Sequence, residues 1–488
     1  MGSTIAIAEL MTRSGVSFGT SGARGLAAAM TDRVCYAYTA AFLQHLATLG
    51  EIRQGDRVAL AGDLRPSTPR ILAACAAAVA DRGCAPVHCG AIPTPAVANW
   101  ALREGIASLM VTGSHIPDDR NGIKFYRPVG EILKPDEAGI RAQSVSLPPG
   151  CFTSDGALLH PPRPVASPAA YRAYAKRYRD FFPAGCLAGR RIAIYEHSTV
   201  AREAFAEVLA ALGAEVIPLG RAERFVPVDT EAIRAEDVVL ARRWASEVGF
   251  DAIVSADGDG DRPLVGDEHG TWLRGDVAGI HAARYLGADT VVTPVSSNTA
   301  LERSGWFGTT VRTRIGSPFV IAGMQQARGR CVVGYEANGG FLTGSEIVRD
   351  GRRLPPLPTR DALIVALAVL DLAVGHGVAV SALAALLPSR CTASDRLKDF
   401  PTATAQQRIA ELAGGGAAAV EAVFTNLGAV REIDQTDGLR IGFAGGDIVH
   451  LRPSGNAPEL RCYVEADSEE RAAALLQRCL HELERWRS

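Results

Sequence analysis

GDRVALAGDLRPSTPRILAACAAAVADRGCAPVHCG, residues 55–90, begins at a glycine with an apolar run, crosses a polar turn, takes up helical spacing and ends in a second apolar run and glycine. A change from strand-like to helix-like periodicity and back is the βαβ rhythm of a sheet with crossover helices. The plan recurs in GRRIAIYEHSTVAREAFAEVLAALGAEVIPLG (189–220) and in GADTVVTPVSSNTALERSGWFGTTVRTRIG (287–316). The spacing therefore predicts three related α/β domains.

Between the first two, LPPGCFTSDGALLHPPRPVASP (147–168) is rich in prolines, which remove backbone donors, and reads as a linker. DGRRLPPLPTRD (350–361) reads as a loop before the apolar helix ALIVALAVL (362–370). Beyond Pro388 the pattern changes to short strands, GLRIGFA and DIVHLRPSG, followed by a charged helix, EERAAALLQRCLHELERW, which predicts a smaller α+β domain. The expected boundaries are 1–158, 159–268, 269–387 and 388–488.

The chain has 488 residues, 47% hydrophobic and 21% charged, with 51 Lys plus Arg against 53 Asp plus Glu and a formal charge of −2. That balance calls for no polyanionic partner, so nucleic acid is disfavoured. The N-terminus lacks the basic and apolar regions of a secretory signal. The run at 362–370 falls short of the ~20 residues a membrane span requires, so a buried helix and no membrane partner are expected. Ten cysteines without zinc-type spacing suit reduced thiols and a cytoplasmic protein.

Chemistry gathers in four loops. ADGDGDR places Asp257, Asp259 and Asp261 directly after the apolar run FDAIVSA. Three carboxylates this close repel one another without a cation, and an all-oxygen set suits a hard ion such as Mg²⁺. An EF-hand is disfavoured despite Glu268 at the twelfth position, because Arg262 stands where the sharp-turn glycine belongs. A solvated acidic turn is the plainer alternative.

VTGSHIPDDRNGIKFY (111–126) sets Ser114 at the end of an apolar run, without the G-x-S-x-G of a hydrolase elbow. His115 is its neighbour, and on an extended chain neighbours point to opposite sides, so it is poorly placed as a base for Ser114. Lys124 could offer charge to a phosphate on the serine. By spacing alone, an ordinary serine in a capping turn is a better reading than a nucleophile. Glu336 and Asn338 in VVGYEANGGFLTG can grip vicinal hydroxyls by accepting and donating hydrogen bonds, though a hairpin turn explains them equally. Arg452, Ser454, Gly455 and Asn456 in HLRPSGNAPELR, reinforced by Arg461, offer the fork, hydroxyl and amides a phosphate dianion needs. A plain β-turn remains open there.

Together, FGTSGARG (18–25), TGSHIPDDRNGIKFY, DGDGDR, GYEANGG and RPSGNAPELR, in this order, resemble the α-D-phosphohexomutase family across nearly the whole chain. The resemblance is greatest to its bacterial phosphomannomutase branch. It implies three α/β domains and a smaller fourth around a central cleft. It implies a phosphoryl group on Ser114, and Mg²⁺ held by Asp257, Asp259, Asp261 and an oxygen of that phosphoserine. Arg24, Lys124 and Arg262 match positions around the transferring group, and His115 completes the catalytic candidates. Glu336 and Asn338 match the sugar loop, and Arg452, Ser454, Gly455, Asn456 and Arg461 the phosphate loop.

The implied reaction interconverts hexose 1-phosphate and hexose 6-phosphate, most simply of mannose, with a hexose 1,6-bisphosphate as intermediate or activator. Glucose or glucosamine phosphate is the alternative substrate. From other classes come a haloacid-type phosphatase with Asp257 as nucleophile and a non-catalytic sugar-phosphate sensor. Two loops depart from common family forms: GSHIP where many members have ASHNP, and EANGG where several have EMSGH.

Overall fold

The computed structural model describes residues 4–19, 22–454 and 458–487. The chain divides into two compact units, one of residues 1–288 and 330–381, the other of 289–329 and 382–488.

In the first unit, strands Arg57–Gly62, Ala85–Ala91 and Ala107–Val111 pair in parallel, while Arg120–Arg127 runs antiparallel between Ala107–Val111 and Ala23–Leu26. The opening stretch thus forms the expected strand, helix and parallel strand. Its helix, Thr68–Asp81, has a proline in the first turn, where a missing N–H costs nothing, and buries Ile71, Leu72, Cys75, Ala78 and Val79. The second repeat behaves alike: Arg191–Tyr195 pairs in parallel with Glu215–Leu219 and with Ala252–Ala256. Pro218 lies on the edge strand, where no ladder bond is lost. Strand Pro263–Gly266 returns antiparallel to Ala252–Ala256, so residues 257–262 are the loop of a hairpin.

Strands Val332–Tyr335, Phe341–Thr343 and Leu357–Asp361 form an antiparallel set. The loop expected at 350–361 is instead two strands, Arg352–Leu354 and Leu357–Asp361. Its prolines mask a strand that buries Leu357, Thr359, Arg360 and Asp361. Helix Ala362–His376 follows, buried over most of its length and N-capped by Asp361, which accepts from the Leu363 amide at 3.0 Å.

In the second unit, the third repeat again yields a parallel pair, Thr290–Pro294 with Thr309–Thr313. The remainder is an antiparallel five-stranded sheet, in the order Cys391–Lys398, Glu459–Ala466, Ile448–Pro453, Leu439–Phe443 and Val430–Asp434. Helices Thr402–Val423 and Glu469–Glu484 contribute Ile409, Leu412, Leu475, Cys479 and Leu483 to its core. Multi-sheet α/β architecture with a C-terminal α+β portion is therefore as the sequence implies. Among the described residues no helix is long and apolar enough to cross a membrane.

Candidate active site

Strand Ala107–Val111 delivers Thr112, Gly113 and Ser114 to the end of the first sheet. Ser114 adopts φ 57°, a left-handed conformation uncommon for a residue with a side chain, and its N–H donates to Thr112 Oγ1 at 2.7 Å. Its hydroxyl is fully buried and donates to Asp257 Oδ2 at 2.5 Å.

The left-handed turn corrects one sequence expectation. Ser114 is not extended, so His115 is not thrown to the opposite side: its Nδ1 lies 3.3 Å from Ser114 Oγ. The same Nδ1 accepts from Arg262 Nη1 at 3.0 Å. Burial, then Arg262, hold the His115 pKa down to about 3, so the ring is neutral.

Asp257, Asp259 and Asp261 are each fully buried, with candidate ligand oxygens within 4.8 Å of one another. Lys124, reaching from strand Arg120–Arg127, donates to Asp259 Oδ2 at 2.6 Å and to Asp261 Oδ2 at 2.5 Å. Thr94 Oγ1 donates to Asp259 Oδ2 at 2.5 Å. The protein's hydrogen-bond donors thus sit on Oδ2 of these two residues, and Oδ1 of each is buried without a hydrogen bond among the described residues. Burial, then the two neighbouring carboxylates, push the Asp257 carboxyl well above its usual range. Burial works to raise Asp261 too, but Arg360, Lys124 and Arg262 outweigh it and hold it low. A site that must protonate one carboxyl to relieve repulsion, and leaves two buried oxygens unbonded, fits a hard cation. Glu268 takes no part: it accepts from the Ser381 N–H at 3.2 Å.

Arg24, on strand Ala23–Leu26, faces this cluster, and its pKa falls to about 10 through burial and the neighbouring charges of Arg262 and Arg360. Cations crowded in this way favour an anionic ligand. The sugar-loop candidates lie in the same unit, in the hairpin between Val332–Tyr335 and Phe341–Thr343. Asn338 Oδ1 accepts from the Gly340 N–H at 2.9 Å, and Thr230 Oγ1 donates to the Asn338 carbonyl at 2.7 Å. The side-chain oxygen of Asn338 is thereby committed to shaping the loop.

Arg452 and Ser454 belong to the second unit and line a cleft of about 790 Å³ with Arg314 and Asp437. Arg452 Nε forms an ion pair with Asp437 Oδ2 at 3.0 Å. Arg452 and Arg461 are direct cross-strand partners, and Arg461 Nη2 lies 3.7 Å from Glu459 Oε2. Gly455 and Asn456 lie outside the described residues.

Sequence reasoning missed two arginines. Arg65, in DLRPS, is buried and spends its whole guanidinium on fixing the serine loop. Nε donates to Asp63 Oδ2 at 3.0 Å, Nη1 to the carbonyls of Pro117 at 2.6 Å and Arg120 at 3.1 Å, and Nη2 to those of Ser114 at 2.9 Å and Ile116 at 2.6 Å. Arg360, in PTRDA, lies between Asp261 and Glu336. An arginine on a turn or strand carries no local signal of such roles. The composition of DLRPS, a Pro and two polar residues around one Arg, would at most mark a turn.

A serine beside an acidic, cation-bearing cluster on a multi-sheet α/β fold is the equipment of a phosphoryl-transfer enzyme. Family domains of phosphoglucomutase/phosphomannomutase match residues 15–146 (α/β/α domain I), 274–390 (α/β/α domain III) and 405–481 (C-terminal domain). The chain is 45% identical over 466 residues to a phosphomannomutase of Sinorhizobium fredii, covering 95% of this chain and 97% of the relative. It is 42% identical over 476 residues to one of Salmonella muenchen, covering 97% and 96%. The fold superposes on the crystal structure of a putative phosphomannomutase from Thermus thermophilus with a TM-score of 0.74 at 21% identity, over 96% of this chain and 99% of that one. The chain belongs to the phosphoglucomutase/phosphomannomutase family, the α-D-phosphohexomutases, and is a hexose phosphate mutase, an isomerase. That membership replaces the phosphatase and sensor readings.

Proposed function

We propose that the enzyme interconverts mannose 1-phosphate and mannose 6-phosphate, with Ser114 as the phosphoryl carrier. The observation that supports this most directly is the buried Ser114 hydroxyl, 2.5 Å from Asp257 and beside the Lys124-bound carboxylates. Mannose is favoured because relatives at 42% and 45% identity are phosphomannomutases, whereas a matched phosphoglucosamine mutase of Mycobacterium marinum is 30% identical.

In the first half-reaction the bond from phosphorus to Ser114 Oγ breaks as one to the free sugar hydroxyl forms. The hydroxyl's proton is exchanged for the phosphoryl group, giving a hexose 1,6-bisphosphate and free Ser114. That proton ends on Ser114 Oγ, and His115, whose Nδ1 is held by Arg262 and lies 3.3 Å from Oγ, orients the released hydroxyl. The second half-reaction runs the same exchange in reverse with the other phosphate. Asp257, Asp259, Asp261 and the phosphoserine would hold Mg²⁺, which when bound neutralises charge on the transferring group. Arg24, Lys124 and Arg262 stabilise the same charge from the protein side. Glu336 and Asn338 would grip sugar hydroxyls, and Arg452, Ser454, Gly455, Asn456 and Arg461 the unreacting phosphate. Anchoring that remote phosphate converts binding energy into orientation of the reacting end.

The test is Ser114→Ala. Phosphate exchange between the 1- and 6-positions should vanish in a folded protein, and incubation of wild type with mannose 1,6-bisphosphate should add one phosphate, mapped to Ser114. Near-normal turnover of the variant, or a phosphate elsewhere, rejects the assignment. Comparing kcat/KM for mannose, glucose and glucosamine phosphates decides the sugar.

A further inference from the structure

Arg360 stands in none of the motif loops, yet it is one of the most constrained side chains near the site. It lies on strand Leu357–Asp361 with its side chain 3% exposed. Its fork is divided between two carboxylates: Nε and Nη2 donate to Asp261 Oδ2 at 3.1 and 2.9 Å, and Nη1 donates to Glu336 Oε2 at 3.2 Å. A lysine could not reproduce this, because its point charge lacks the planar spread that reaches two partners at once.

The sugar loop is built to admit that side chain. A Cβ on residue 340 would stand 2.5 Å from Arg360 Cδ and 2.8 Å from Cγ, contacts that real structures do not tolerate. Gly340 is also one of the positions, with Ala337 and Asn338, where this chain departs from the EMSGH form of the loop. The departure and the buried arginine are thus two halves of one arrangement: a side chain at 340 and Arg360 in this pose exclude each other.

We propose that Arg360 is a positioning residue that holds the sugar-binding carboxylate Glu336 in register with the metal-binding carboxylate Asp261, and that Gly340 is present to make room for it. The inference rests on the roles proposed above for Glu336 and the aspartate triad. Tethered this way, Glu336 meets the sugar already oriented, and cation binding at the triad and sugar binding at the loop share one rigid link. Such a link makes the two affinities reciprocal.

The experiment compares wild type with Arg360→Ala, Arg360→Lys, Gly340→Ala and the Arg360→Ala/Gly340→Ala double variant. Calorimetric titration with mannose 6-phosphate in the presence and absence of Mg²⁺ gives affinities independent of turnover, and steady-state kinetics gives KM and kcat separately. Arg360→Ala and Gly340→Ala should each weaken mannose 6-phosphate roughly tenfold, the scale of a lost charge-assisted contact. KM should rise more than kcat falls, and Arg360→Lys should recover little of the loss. In the double variant the losses should fall short of their sum, because a methyl at 340 loses its two closest contacts once Arg360 is gone and keeps only Asn338 Oδ1 at 3.0 Å. Affinities of both single variants within about twofold of wild type, or a double variant whose losses sum, would overturn the proposal. Should Arg360→Ala fail to fold, Gly340→Ala keeps every charge in place, and unchanged affinity in that variant overturns it. Failure here with wild-type turnover and Ser114 dependence intact rejects Arg360 alone; loss of those two rejects the functional reading itself.

Discussion

The guanidinium of Arg65 donates to the carbonyl oxygen of Ser114 at 2.9 Å, so a residue 49 positions upstream holds the backbone of the proposed phosphoryl carrier. With its other donors on Asp63, Pro117, Arg120 and Ile116, Arg65 ties down both sides of the serine turn. Arg65→Ala leaves Asp63 buried without its cation and several carbonyls without a donor. A loss of about 3–5 kcal/mol in stability is expected, as for other broken buried pairs. Displacement of Ser114 by even an ångström should cost about 100-fold in kcat/KM. Urea unfolding and steady-state rates measure the two separately, and wild-type rates in the variant would show that Ser114 is held by other means.

Gly113 makes the close approach of Arg65 possible. A Cβ at 113 would fall 2.6 Å from Arg65 Cζ and 2.8 Å from Nε. The departure from the alanine common at this position is thus matched to the arginine above it. Gly113→Ala should destabilise by about 1–3 kcal/mol, the usual cost of overpacking, and lower kcat. A variant as stable and active as wild type would mean that the guanidinium can retreat freely.

The βαβ repeats were legible because three separate stretches alternate apolar runs and helical spacing between glycines, and each yields a parallel strand pair. The reactive loops were legible because carboxylates, hydroxyl and cations cluster within a few residues at strand ends. Arg65 and Arg360 were not, since their partners lie up to 55 and 99 positions away and neither leaves a local pattern. The place of His115 is set by a local feature that residue types do not reveal: φ 57° at Ser114 turns the imidazole toward the hydroxyl, where an extended backbone would turn it away. The strands at 352–354 and 357–361 are hidden by prolines between and within them, where pairing with Ile347–Arg349 and with Phe341–Thr343, respectively, decides the outcome.

Mg²⁺ should stabilise the enzyme through the triad even without substrate. At about 100 times its Kd, a cation that binds only the folded state adds about 2.7 kcal/mol to the unfolding free energy. Asp259→Ala and Asp261→Ala each remove one of the two unbonded oxygens and should abolish that increment while eliminating turnover. Thermal unfolding at a series of Mg²⁺ concentrations reads the effect directly. An equal Mg²⁺ response in wild type and both variants would place the cation elsewhere.

Stability should also fall on mild acidification through His450. The ring is 2% exposed, its Nε2 lies 2.6 Å from the Asp437 carbonyl, and it stacks on Tyr463 at 5.4 Å. Burial is the main cause that lowers its pKa from 6.5 to about 4. The folded chain therefore keeps this imidazole neutral between pH 4 and 6.5, while the unfolded chain takes up a proton. Its contribution is complete above pH 6.5, declines as pH drops toward 4 and is level below that. The full span is on the order of 3 kcal/mol. His450→Gln, which cannot titrate, should reduce the wild-type slope across that interval, with buried His197 and His281, also lowered to about 4, supplying what remains. Urea unfolding midpoints at pH 7, 6, 5 and 4 test this, and parallel slopes in the two proteins would show that His450 is not the group responsible.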